Sequence, residues 1–227
     1  METQALSQIF PLFNTASPDT LNWVIEIATE ETYNRDEIIL TADNWGKAAY
    51  LIVSGWVKLQ YSSTERKITQ TIVGRSDFFG ESAILEEYSE NMEVVALSEV
   101  HLLIISAQRF IQALFKDSKL QHRLLQLMVK KSRIFCSYGQ LRHQPPAVRL
   151  VKILVFLAEN YGESWERGIS IVQIPAIDLA DITNIDVEET EKIIDNLQNN
   201  GWIEIDRNND YLCLTNIKQL INLSGKV

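Results

Sequence analysis

The spacing of hydrophobic and polar positions changes twice along the 227-residue chain. Residues 2–9 and 18–29 carry apolar positions at helical spacing, and Ser17-Pro18-Asp19 heads the second run with a cap followed by proline. From about 36 to 105 the texture is that of strands. Glu37-Ile-Ile-Leu40, Ala49-Tyr-Leu-Ile-Val53, Trp56-Val-Lys-Leu-Gln-Tyr61 and Val100-His-Leu-Leu-Ile-Ile105 are rich in β-formers, and Asn44-Trp-Gly46, Ser54-Gly55 and Gly74-Arg-Ser-Asp77 separate them. Many short strands at close spacing predict a barrel or sandwich.

After Ser106 the pattern turns helical, most clearly over 119–143. Leu120, Leu124, Leu127, Lys131, Ile134, Tyr138 and Leu141 recur at alternating steps of four and three, a heptad seam. At about 1.5 Å per residue this predicts a rod of roughly 37 Å. The seam is expected to pair two chains, with Lys131 as the polar position that fixes register; packing on the chain's own barrel is the alternative. Gln144-Pro145-Pro146 breaks the helix. Beyond it the pattern predicts a helix at 147–161, a strand at 170–174, helices at 176–183 and 186–200, and a hairpin at 202–214 closed by Arg207-Asn-Asn-Asp210. Helix–turn–helix plus hairpin is the layout of a winged helix. The expected domains are 1–117, a 118–144 dimerisation helix, and 145–227, an α+β arrangement.

Composition narrows the function classes. No apolar run reaches the length of a membrane helix, and the start has no basic and apolar leader, so a cytoplasmic protein without membrane contact is expected. The two cysteines, Cys136 and Cys213, are far apart and form no C-x-x-C pair; both are expected to be buried thiols. His101, His122 and His143 show no ligand spacing. No metal, cofactor or catalytic residue is expected, because nothing resembles a nucleophile–base pair or a P-loop, and the chain is not expected to be an enzyme.

Three passages, in order around the long helix, resemble the cyclic-AMP receptor protein/Fnr (Crp/Fnr) superfamily. They are Tyr50-Leu-Ile-Val-Ser-Gly-Trp-Val-Lys58, the hairpin with its glycine; Asp77-Phe-Phe-Gly-Glu-Ser-Ala-Ile-Leu85, the start of the phosphate-binding cassette; and Asp186 to Ile203, a recognition helix running into a wing. The resemblance implies a jelly-roll β-barrel like a cyclic-nucleotide-binding domain, a dimerisation helix, a C-terminal winged helix–turn–helix, and a homodimer that regulates genes.

Two departures qualify it. Gly80 and Glu81 of the cassette are present, but the family's later Arg and Ser or Thr are matched by Asn91 and Met92, followed by Glu93. The family's polar adenine contact on the dimer helix is matched by Ile134-Phe135. A lost guanidinium–phosphate bond removes about 1.5–3 kcal/mol, so cyclic-mononucleotide binding is expected to be lost, leaving Glu81 to cap the cassette turn. In the recognition helix the family's arginines are matched by Val187 and Lys192, and Glu188 matches the family's glutamate among Asp186, Glu189, Glu191 and Asp195. DNA affinity rests on neutralising phosphates, and net charge is −9. Val187, Glu188, Glu189, Glu191 and Lys192 therefore face either DNA or, as favoured here, a basic protein partner such as a DNA-binding Crp-like relative.

Residues 118–158 contain no Asp or Glu but eight cations: Lys119, Arg123, Lys130, Lys131, Arg133, Arg142, Arg149 and Lys152. This belt is either a solvated face or an anion site. Arg133, Arg142 and Arg149, with Lys131 and Tyr138 or Trp165 as stacking face, are the candidate ligands for an anionic second messenger, c-di-GMP rather than cyclic AMP. The picture is similar to the cyanobacterial type of Crp-like c-di-GMP receptor. The alternative is a DNA-binding Crp/Fnr-type factor with another effector.

Overall fold

A computed structural model describes residues 3–45, 47–62, 66–81, 84, 91–206 and 209–224; the side chains of Thr3, Tyr138, Gln140 and Ser224 are outside the description. Gly46, the cassette residues Ser82, Ala83 and Leu85, and Arg207 and Asn208 of the wing turn lie outside the described residues. Two compact units are present. The first comprises Met1–Arg66 and Val73–Phe135, the second Lys67–Ile72 and Cys136–Val227.

The first unit opens with α1 (Thr3–Ile9) and α2 (Pro18–Ile27). Ser17 caps α2 by accepting from the Thr20 amide at 3.2 Å, and Pro18 stands where a missing N–H costs nothing. The β-rich region forms two antiparallel four-stranded sheets, not a closed barrel. One runs β1 (Thr29–Tyr33), β8 (Val100–Ser106), β3 (Ala48–Ser54), β6 (Phe78–Phe79). The other runs β2 (Ile38–Leu40), β7 (Met92–Ala96), β4 (Trp56–Ser62), β5 (Lys67–Gly74). Their crossed order is that of a jelly roll. Gly55 turns β3 into β4 at φ +88°, and a Cβ there would lie 2.1 Å from the Glu99 carbonyl oxygen, so only glycine fits.

α3 (Ala107–Lys116) and α4 (Ser118–Gln140) follow. Asp117 sits between them, accepting from the Lys119 and Leu120 amides through one oxygen and from the Ser17 amide and Thr20 hydroxyl through the other. One carboxylate thus ties the starts of α4 and α2 together. The core contains Leu6, Phe10, Phe13, Leu51, Phe78, Leu103, Ile105 and Phe110, and it takes in Leu120 and Leu124, with Leu127 packed against it. This corrects the expected dimer seam: Leu120, Leu124 and Leu127 face their own domain, because a heptad row packs equally well on a sheet's apolar face. Ile134 is half-buried, as is Leu141 in the 3-10 turn Leu141–His143 that ends the helix.

In the second unit α5 (Pro146–Tyr161) starts on proline and buries Leu150, Val151, Ile153, Leu154 and Leu157. α6 (Ala176–Thr183) ends at Asn184, which is left-handed at φ 53°, and α7 (Val187–Asn199) begins three residues later. Asp186 caps α7 by accepting from the Glu188 amide at 2.9 Å. Thr190 and Leu197 are the buried residues of α7. A four-stranded sheet in the order β11 (Ile203–Asp206), β12 (Tyr211–Leu214), β10 (Gly168–Val172), β9 (Glu163–Trp165) supplies the wing, and α8 (Ile217–Ser224) closes the unit.

Candidate functional site

The cassette begins where β6 leaves the sheet. Gly80 has φ +88°, and a Cβ would lie 2.6 Å from the Ala48 carbonyl oxygen and 3.0 Å from the Tyr50 ring. That ring stacks on Phe79 at 4.9 Å. Glycine here lets the chain turn tightly against β3 and delivers Glu81 inward, 6% exposed. Glu81 does not merely cap a turn. The ammonium of Lys131, reaching across from α4, lies 3.1 Å from a Glu81 oxygen and 3.3 Å from Asp77, and donates to the Phe78 carbonyl at 2.6 Å. It also sits 3.9 Å over the Phe78 ring. Burial works against its charge, but Glu81 and Asp77 outweigh it and hold its pKa above the ordinary lysine value.

At the positions where the family pattern has its phosphate ligands, Asn91 is exposed and accepts from the Ser62 amide through its backbone carbonyl at 2.7 Å. Met92 is 4% exposed, in β7 opposite Tyr61. The side chain that follows, Glu93, accepts from Gln60 at 3.0 Å. In place of a guanidinium and a hydroxyl stand an outward amide, a buried thioether and a carboxylate.

The belt cations divide into those engaged by the fold and those left to solvent. Lys131 is neither a seam residue nor a free ligand group: its three N–H donors are taken by Phe78, Glu81 and Asp77. Arg149 is not a free ligand either. Its Nη1 donates to the Thr183 and Asn184 carbonyls at 3.0 and 2.9 Å, capping α6, and its buried Nε has no hydrogen-bond partner. Arg123 donates to the Pro11 carbonyl at 2.8 Å. Arg133 and Arg142 are exposed and have no ion pair among the described residues. Arg133 lies in the first unit, Arg142 and Arg149 in the second. The Tyr138 side chain lies outside the described residues. Trp165 is 51% exposed and leans on Tyr211 at 5.1 Å.

On α7, Glu188, Glu189, Glu191, Lys192 and Asp195 are exposed and Val187 is half-buried. The four carboxylates have no ion pair among the described residues. The cysteines differ from expectation: Cys213 is buried, whereas Cys136 on α4 is exposed. Among the described residues no group of three or more His, Cys, Asp or Glu is placed to hold a metal, and no helix is long and apolar enough to cross a membrane.

Residues 30–117 match the cyclic nucleotide-binding domain family. The relatives and solved structures this chain is similar to include Crp-like regulators. A cyclic AMP receptor protein of Thermus thermophilus is 25% identical over 54% of this chain and 57% of the relative, so that match spans a little over half the relative's length. A CRP-like cAMP-activated global transcriptional regulator of Mycobacterium tuberculosis is 19% identical over 86% of this chain and 88% of the relative. Among solved structures, FixK2 of Bradyrhizobium japonicum superposes with a TM-score of 0.74 at 18% identity, covering 88% of this chain and 99% of that chain. The c-di-GMP responsive regulator CLP of Xanthomonas campestris superposes with a TM-score of 0.66 at 16% identity, covering 87% and 99%.

Proposed function

We propose that this chain is a ligand-sensing Crp-like transcriptional regulator that responds to an anionic second messenger, c-di-GMP over cyclic AMP, and acts largely through a basic protein partner. The observation that carries the reading is the exposed acidic face of α7, where a DNA reader of the family pattern presents arginine. Such a face repels phosphate and attracts a cationic surface. The effector assignment is supported by the exposed Arg133 and Arg142, by Asn91 and Met92 in the cassette, and by the fold shared with a c-di-GMP responsive regulator. A homodimer is supported by the outer row of α4. Leu125 and Val129 are more than half exposed, and Ser132, Cys136 and Gly139 continue them at steps of three and four.

Calorimetric titration with c-di-GMP and cyclic AMP side by side tests the effector: binding of c-di-GMP alone is expected, and binding of cyclic AMP alone overturns the assignment. The intact helix–turn–helix, with its left-handed Asn184 and capped α7, favours the second reading, a DNA-binding factor with an effector other than cyclic AMP. A low-salt gel shift on a promoter pool separates the two. The partner reading expects no shift from this protein alone. Light scattering should give a dimer that Val129→Asp reduces to a monomer, and a short bismaleimide should link Cys136 to its counterpart.

A further inference from the structure

β1 is the outer strand of its sheet, so one of its sides is open to water. Thr32 is exposed there and lies directly opposite His101 of β8 in the antiparallel register. Cross-strand partners point to one face of a sheet, and these two side chains meet: Thr32 Oγ1 is 3.0 Å from His101 Nδ1. At the other edge of the ring, Nε2 is 3.1 Å from a Glu99 oxygen. Counting donors fixes the direction of both bonds. A carboxylate only accepts, so Nε2 carries the hydrogen. In a neutral imidazole Nδ1 is then the acceptor, and the Thr32 hydroxyl donates to it. A hydroxyl held by a base, with the base oriented by a third group, is the arrangement that activates an oxygen nucleophile.

We propose that Thr32 is a self-acylation site, with His101 as its general base and Glu99 as the residue that positions the imidazole. The donor is a neutral thioester, because Glu99 gives the relay a net negative charge that disfavours an anionic one. Thr32 Oγ1 attacks the thioester carbonyl carbon while its proton passes to Nδ1. A C–O bond forms and the C–S bond breaks; the sulfur leaves with the bonding electrons and takes the proton from Nδ1. The products are an ester on Thr32 and a free thiol, with nothing oxidised or reduced. Each chain is modified once. The inference is independent of the effector and partner readings, and a negative c-di-GMP titration leaves it standing.

The test is incubation of the full-length protein with the neutral thioester S-acetyl-N-acetylcysteamine, read by peptide mass spectrometry. Thr29, exposed on the same strand, is the internal reference. Thr32 should gain acetyl roughly 100-fold faster than Thr29, the lower end of what a general base contributes, since water reaches this relay. His101→Gln should bring Thr32 down to the rate of Thr29. Glu99→Gln should give a smaller fall with an unchanged urea midpoint, whereas a purely structural role would move the midpoint and not the labelling. Thr32→Ser should keep the label. The three side chains are exposed, so the variants are expected to fold, which circular dichroism checks. Labelling of Thr32 no faster than that of Thr29 overturns the proposal, and so does an unchanged rate in folded His101→Gln.

Discussion

The cassette of the first unit and the recognition helix of the second depart from the family pattern in similar ways but settle the result differently. In each, the residues that shape the backbone are present: Gly80 at its positive φ, and Asn184 and Asp186 around the turn into α7. In each, side chains that would meet a polyanion are replaced, by Asn91 and Met92 in one and by Val187 in the other. Glu81 is buried and is matched from within by Lys131. The carboxylates of α7 lie in water and are matched by nothing among the described residues. A buried charge without a partner costs several kcal/mol, whereas an exposed one costs little. The cassette's charges thus report on the fold, while those of α7 are free to report on a partner.

That contrast breaks most readily at Lys131. Lys131→Met withdraws the ammonium from Glu81 and Asp77 and should lower unfolding free energy by about 3–5 kcal/mol in urea. Adding Glu81→Gln should return a good part of it, the signature of a coupled pair. If Lys131→Met is within error of wild type, the pair is no more than a surface bridge. Gly80→Ala comes next, at about 1–3 kcal/mol, since its Cβ would press on the Ala48 carbonyl at an unfavourable φ. A neutral outcome would mean that the cassette turn relaxes freely.

Much of this architecture is legible in the sequence, and the misreadings share a cause. Strand runs, the proline break, the two helices of the reader and the wing are all local patterns. The direction a face points is not local. Leu120, Leu124 and Leu127 form the same row whether they pack on their own sheets or on a second chain. The distinguishing signal was a second row, Leu125 and Val129 followed by the small residues Ser132, Cys136 and Gly139, which the first row overshadowed. Lys131 within an apolar row was a cue to seek carboxylates elsewhere, and Asp77 and Glu81 were available. Arg149 offered no such cue: its partners are backbone carbonyls 34 and 35 residues away.

The belt provides the next test, because it contains both kinds of cation. Arg149→Ala frees the α6 carbonyls and should destabilise the second unit by about 1–2 kcal/mol. Arg142→Ala, which removes no contact found among the described residues, should leave stability within about 0.5 kcal/mol and weaken c-di-GMP binding instead. Thermal melts and titrations on the two variants should therefore give opposite profiles. Matching profiles would erase the division between the two arginines.

The smallest effects fall on α7, where scaffold and surface occupy adjacent residues. Asp186→Ala removes the helix cap and should cost about 1 kcal/mol. Glu188→Gln, Glu189→Gln and Glu191→Gln together remove three exposed charges and no ion pair found among the described residues, so stability should move by less than about 0.5 kcal/mol. Binding should respond. Less repulsion from phosphate predicts weak, salt-sensitive DNA association where wild type shows none, together with loss of a basic partner. If the triple variant changes neither, the acidic face is only solvated surface. If wild type already shifts DNA at low salt and the variant merely tightens it, the helix remains a DNA reader.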